Sequence, residues 1–206
     1  MNSFDYQVDI ALQCCDMLKN FTRMSLDFQR AVSAKGGIGL VLSTMRRHVN
    51  SHSVQDSGFA CMRNICLHQD NRLPVQEEGG ITTLLTHMAI YLEDAAIQAY
   101  GCDALGRLAT ESENQITIVN DNGIGEVLRS MKEHPGHPGV QDRACFFLLA
   151  MTEFSPAVVS MREKDALSVV RDARGRVPAK ELAQQRLEAL INRLEKEEGS
   201  NWFKRK

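Results

Sequence analysis

The sequence predicts an all-α chain built as a stack of helical repeats, and three landmarks in one register predict it. Val54-Gln55, Ile97-Gln98 and Val140-Gln141 recur at a step of 43 residues, with Ala183-Gln184 one further step along. Gly37-Ile38, Gly80-Ile81 and Gly123-Ile124 keep the same step, as do Met45, Met88 and Met131. A period of this size marks a solenoid, in which each unit buries its apolar face only against its neighbours. One continuous domain over residues 1–198 follows, with repeats at about 25–68, 69–111, 112–154 and 155–197.

Each element has a local reason. Val8 to Phe21 reads as a lone half repeat, a helix whose apolar residues are Ile10, Cys14, Met17, Leu18 and Phe21. From Ser53 to His68, Val54, Gly58, Cys61, Met62, Ile65 and Cys66 fall on one helical face. Gln69-Asp70-Asn71 is a polar break with helix-capping side chains, and a short helix follows through Val75 to Glu78. Gly79-Gly80 ends it, because glycine accepts the left-handed conformation found at helix C-termini. A middle helix from Ile81 to about Leu92 carries Leu84, Leu85 and Met88 on one side.

The next unit repeats the pattern. Ser112-Glu113-Asn114 opens its short helix, Asn122-Gly123 turns it, and Val127, Leu128 and Met131 mark the middle helix. The run from His134 to Gly139, with two Pro-Gly pairs, predicts a rigid turn before Val140-Gln141. Past Ser155-Pro156 the pattern turns polar: Ala166-Leu167 replaces Gly-Ile, and Arg171 and Arg174 replace Leu and Met. A terminal cap needs such a face, since one of its sides meets water. The last helix, about Ala179 to Glu197, is expected to turn Leu182, Leu187, Leu190, Ile191 and Leu194 inward. Residues 199–206, with Trp202-Phe203 before Lys204-Arg205-Lys206, read as a flexible tail.

Composition narrows the function classes. The chain is 43% hydrophobic and 24% charged with a net charge of −2, so no concentrated basic face for a nucleic-acid backbone is expected. No apolar run reaches the length of about 20 residues that a membrane helix needs. The N-terminus reads without a secretory leader, and none of the six cysteines forms a C-x-x-C pair. A reducing cytoplasmic or nuclear setting follows. Cys102 and Cys145 share one slot of successive repeats and read as core packing.

The unit can be written as short helix, Gly, Ile-x-x-Leu-Leu-x-x-Met, loop, and Val-Gln-x-x-Gly-x-x-x-Leu-x-x-Leu. In that form it resembles the armadillo repeat of β-catenin and importin-α, over about residues 5 to 197. The resemblance implies a right-handed α-solenoid of about four three-helix repeats, with a half repeat at the N-terminus and a divergent C-terminal cap. It also implies a concave groove, lined by the third helices, for a protein or extended peptide. The family's Asn position falls on Asn64, Arg107 and Ala150, and its Trp position on Ala60, Asp103 and Phe146. Without stacked indoles, the groove is unlike that of a nuclear import receptor.

Repetition within a chain marks what the stack needs, and variation marks what a partner needs. Gln55, Gln98 and Gln141 therefore read as structural, bonding the preceding loop. Ser57, Asn64, Tyr100, Asp103, Arg107, Arg143 and Phe146 are the candidate partner-binding residues. The expected function is a non-catalytic scaffold or adaptor, with no cofactor or metal, acting as a monomer or weak homodimer. Some armadillo proteins promote nucleotide exchange on small GTPases, and Asp103 and Phe146 would serve that alternative. The six histidines form no H-E-x-x-H or comparable ligand motif, and no Gly-rich phosphate loop is present. An enzyme is not expected.

Overall fold

The computed structural model describes the backbone of residues 3–178 and 182–202, and the side chains of 7–178 and 182–196. Among these residues every regular element is helical. A lone long helix, α1 (Ser3–Met24), precedes four short–middle–long triplets. The first is α2 (Leu26–Ala34), α3 (Gly37–Arg47) and α4 (His52–Ile65). The second opens with a 3-10 turn (Gln69–Asn71) and holds α5 (Arg72–Glu77), α6 (Gly80–Ile90) and α7 (Ala95–Leu108). The third is α8 (Ser112–Asn120), α9 (Gly123–Glu133) and α10 (Pro138–Met151). The last is α11 (Ser155–Glu163), α12 (Ala166–Arg176) and α13 (Leu182–Trp202). The long helices pack in chain order, with α4 between α1 and α7, and α10 between α7 and α13.

The turn from short to middle helix is set by one residue per unit. Gly36, Gly79, Asn122 and Asp165, each 43 residues after the last, hold φ of 75°, 72°, 61° and 53°. Only Gly, Asn and Asp enter this left-handed region readily, which explains the residue choice. The next position must also be small. A Cβ at Gly80 would lie 2.6 Å from the Val75 carbonyl oxygen.

The turn from middle to long helix is closed by the repeated glutamine, as its first-turn position suggests. Gln98 Nε2 donates to Met88 O (2.9 Å) and Tyr91 O (2.8 Å). Gln55 does the same to Met45 and His48, and Gln141 to Met131 and His134. These glutamines are buried, so they replace water as partners of carbonyls that the helix ends leave free. Neighbouring units are stitched by a second periodic set. Tyr91 Oη donates to Val49 O and His134 Nε2 to Leu92 O. Asn71 Nδ2 donates to Ile65 O and Gln29 O, and Asn114 Nδ2 to Leu108 O and Arg72 O.

One apolar core runs the length of the stack, from Ile38 to Leu194. Met45, Met88 and Met131 all lie in it. Cys102 and Cys145 are wholly buried there, as the packing reading expects. Of the apolar residues of α1, Ile10, Met17 and Phe21 face solvent, while Cys15 and Thr22 are buried toward α4. Leu182, expected inward, is 55% exposed. Ala179, the expected start of the last helix, lies outside the described residues, and α13 continues to Trp202 where a tail was expected from 199. The Trp202 side chain and residues 203–206 are also outside them. No described helix is long and apolar enough to cross a membrane.

Candidate functional site

The variable positions of the long helices meet in a lattice of arginines and carboxylates. At its centre is Asp103 on α7, 1% exposed. Arg63 on α4 donates from Nε to Asp103 Oδ2 at 2.8 Å. Arg107, one turn along α7, places Nε 3.1 Å from Oδ1, paired by charge but off the line of a hydrogen bond. Arg143 on α10 stands 3.8 Å from Oδ2 and 3.5 Å from Asp142 Oδ2. Arg186 on α13 lies 3.2 Å from Asp142 Oδ1 and donates to the Asp142 carbonyl. Phe146 sits between two of these cations, with the Arg186 guanidinium 5.1 Å and that of Arg107 5.8 Å from its ring centroid.

The vertical order of this lattice decides what a partner could meet. Asp103 and Asp142 lie beneath, whereas Arg63, Arg107, Arg143 and Arg186 are each between a fifth and a third exposed. A carboxylate shared by several guanidiniums holds their forks in place and leaves outward N–H groups for another acceptor. Phe146 is half-buried beside them, and Tyr100, one turn before Asp103 on α7, is half-buried as well, giving aromatic surface at small entropic cost.

Of the seven candidate residues, Tyr100, Arg107, Arg143 and Phe146 reach this surface. Ser57, Asn64 and Asp103 do not present themselves to solvent, because each is covered by a neighbouring helix. Ser57 Oγ donates to Asp16 Oδ1 (2.6 Å) and accepts from Lys19 Nζ (3.2 Å), both on α1. Those contacts hold the Asp16 carboxyl below the usual range, Lys19 first and Ser57 second. Asn64 Nδ2 donates to Lys19 O and Thr22 Oγ1. These three residues therefore fix helix spacing rather than offer contacts. Asp103 and Phe146, the groups on which the exchange-factor alternative draws, are both engaged by arginines within the chain.

Arg63, Asp142 and Arg186 belong to the lattice and escaped the sequence reading. Arg186 lies 43 residues after Arg143, so one more step of the period would have found it. The cysteines take no part. Cys61, Cys66 and Cys102 are buried, which pushes their thiols up to about 12. Among the described residues no three His, Cys, Asp or Glu side chains gather as metal ligands.

No protein-family model matches the chain, and no curated protein does. A solved structure does: the crystal structure of an engineered protein from a structural genomics consortium, with a TM-score of 0.58. It is 13% identical and covers 95% of this chain and 98% of its own. The likeness is one of fold.

Proposed function

We propose that this chain is a non-catalytic scaffold of armadillo type, a right-handed solenoid whose concave side holds a peptide or protein segment across α4, α7 and α10. One observation carries the reading. Residues repeated at the 43-residue step, such as Gln98, Met88 and Ile97, are buried in the stack, whereas Tyr100, Arg107, Arg143 and Phe146, at varying positions, stand at its surface. Guanidiniums held by buried carboxylates, beside aromatic rings, form a preorganised surface that needs little ordering on binding. The six unpaired thiols suit a reducing compartment, cytoplasmic or nuclear.

Random peptides displayed on phage, panned on the purified chain, test this reading. Selected peptides are then titrated by fluorescence anisotropy against wild type, Tyr100→Ala and Arg143→Glu. A loss of about tenfold or more in affinity in either variant is expected. Selected peptides that bind all three chains equally would place the working surface elsewhere.

A further inference from the structure

Resting on the groove reading above, we propose that the segment held there is acidic. It is an extended peptide with two carboxylates two residues apart, one taken over Asp103 by Arg107 and Arg143, the next over Asp142 by Arg186.

Charge is unevenly shared along the row. Arg63, Arg107, Arg143 and Arg186 answer to two carboxylates, Asp103 and Asp142, which leaves a local excess of positive charge in a chain whose net charge is −2. The ions at either end are matched already, Lys19 with Asp16 on α1 and Arg193 on α13 with Glu153. Asp56 keeps the register of Asp142 but lies on α4 and pairs with none of the four arginines, so the excess sits over α7, α10 and α13. Both counter-ions are beyond a partner's reach, the Asp103 side chain being 1% and that of Asp142 11% exposed. A partner therefore meets the cations, and a basic segment is repelled.

Hydrogen bonding points the same way. Among the described residues the guanidiniums of Arg107 and Arg143 donate no hydrogen bond. Charge alone holds Arg107 at 3.1 Å from Asp103, and Arg143 at 3.8 and 3.5 Å from Asp103 and Asp142. Each carries five N–H groups in a planar fork, and each is only partly wetted. Arg186 donates to the backbone carbonyl of Asp142 and has further N–H groups to give. A carboxylate offers two charged oxygens to such a fork, which a hydroxyl or a neutral amide does not. Phe146 packs against both Arg107 and Arg186, 5.8 and 5.1 Å from its centroid, so these cations are placed before a partner arrives.

Spacing follows from Arg143, which reaches toward both buried carboxylates. The two anion positions then lie no farther apart than the axes of packed helices, about 8–10 Å. An extended chain turns every second side chain the same way, about 7 Å further on. Carboxylates at i and i+2 fit that interval.

Peptides selected from a random library on the full chain test this, each remade with its acidic residues replaced singly by Gln or Asn. Fluorescence anisotropy reads their affinity for wild type, Tyr100→Ala and Arg186→Glu. Selected peptides are expected to carry Asp or Glu at i and i+2, and replacing either should weaken binding about tenfold. Affinity should also fall as salt rises from about 50 to about 200 mM. Arg186→Glu should lose about tenfold, and a peptide with Lys in place of one Glu should regain it on that variant, which a merely weakened fold would not allow. The peptide-side replacements leave the protein untouched, so they decide even where Arg186→Glu folds poorly. Neutral or basic peptides that need Tyr100, or acidic ones indifferent to Gln, would overturn the acidic occupant and leave the groove standing. Peptides that bind both variants as they bind wild type would remove groove and occupant together. A labelled oligothymidylate bound as tightly as the peptides would mark a site for polyanions at large, and the peptide assignment would fall.

Discussion

Arg63 on one long helix and Asp103 on the next share a 2.8 Å hydrogen bond whose carboxylate end is almost fully buried and whose guanidinium end is a third exposed. The asymmetry sets what each partner is worth. Removing the carboxylate leaves Arg63, Arg107 and Arg143 crowded without their counter-ion. Asp103→Ala is expected to destabilise the fold by about 3 kcal/mol, as for other broken buried pairs. Arg143→Ala, at 3.8 Å and more exposed, is expected to cost under about 1 kcal/mol. Urea denaturation of both variants measures the difference.

The repeated glutamines make a second, sharper test. Gln98→Ala removes two donors from buried carbonyls at 2.9 and 2.8 Å. A loss of about 2 kcal/mol is expected, and Gln98→Glu should do no better, because an ionised carboxylate cannot donate. In the terminal unit Gln184 makes one bond of 3.3 Å to Arg174 O, so Gln184→Ala should stay within about 0.5 kcal/mol of wild type. Thermal unfolding ranks the three.

Acid sensitivity near neutrality should trace to His87. Its Nδ1 lies 2.7 Å from Gln55 Oε1; because Gln55 Nε2 donates elsewhere, the imidazole is the donor here. Burial, with Arg46 adding to it, holds His87 below the usual imidazole range. The folded state therefore binds its proton later than the unfolded state as pH falls. Stability is full above the unfolded pKa of about 6.5 and declines below it, by at most about 1.4 kcal/mol per pH unit, until the folded pKa is passed. His87→Asn should flatten the slope between pH 7 and 5, read from urea midpoints across that range.

Backbone approach at the short-to-middle turn gives a fourth expectation. Gly80→Ala drives a methyl to 2.6 Å from Val75 O, a contact only a backbone shift relieves. A loss of about 1–3 kcal/mol is expected. Gly79→Asn should be much milder, since Asn122 holds the equivalent left-handed position one unit later. Paired melting curves of the two variants check this.

How much was legible depended on whether a residue answers to its own unit or to the next. Gln55, Gln98 and Gln141 bond carbonyls seven and ten residues away, and glycine at 36 and 79 answers to local φ, so periodicity alone exposes them. Asp103 and Arg107 look like a solvated i,i+4 pair until Arg63, 40 residues back, closes over them. Nothing near Asp103 in the chain signals that cover. The side of α1 that meets α4 was not legible for a related reason. The helix's apolar seam has a good helical period, but period does not say which neighbour a face meets, and here α4 takes the side bearing Asp16, Lys19 and Thr22. Arg186 was overlooked because the last unit drifts from the pattern, although its spacing from Arg143 keeps the step.

The side-chain bonds described above join residues at most 45 positions apart, from Tyr91 to Val49, Asn114 to Arg72 and Asn64 to Lys19. A chain wired this way never has to bring its two ends together. During synthesis, the first triplet can settle against α1 as soon as about two units have left the ribosome, and each later triplet finds a finished template waiting. Assembly is then sequential and quick, with little unsheltered apolar surface at any moment. Arresting translation after residue 111 should release a nascent chain whose first 68 residues already resist protease.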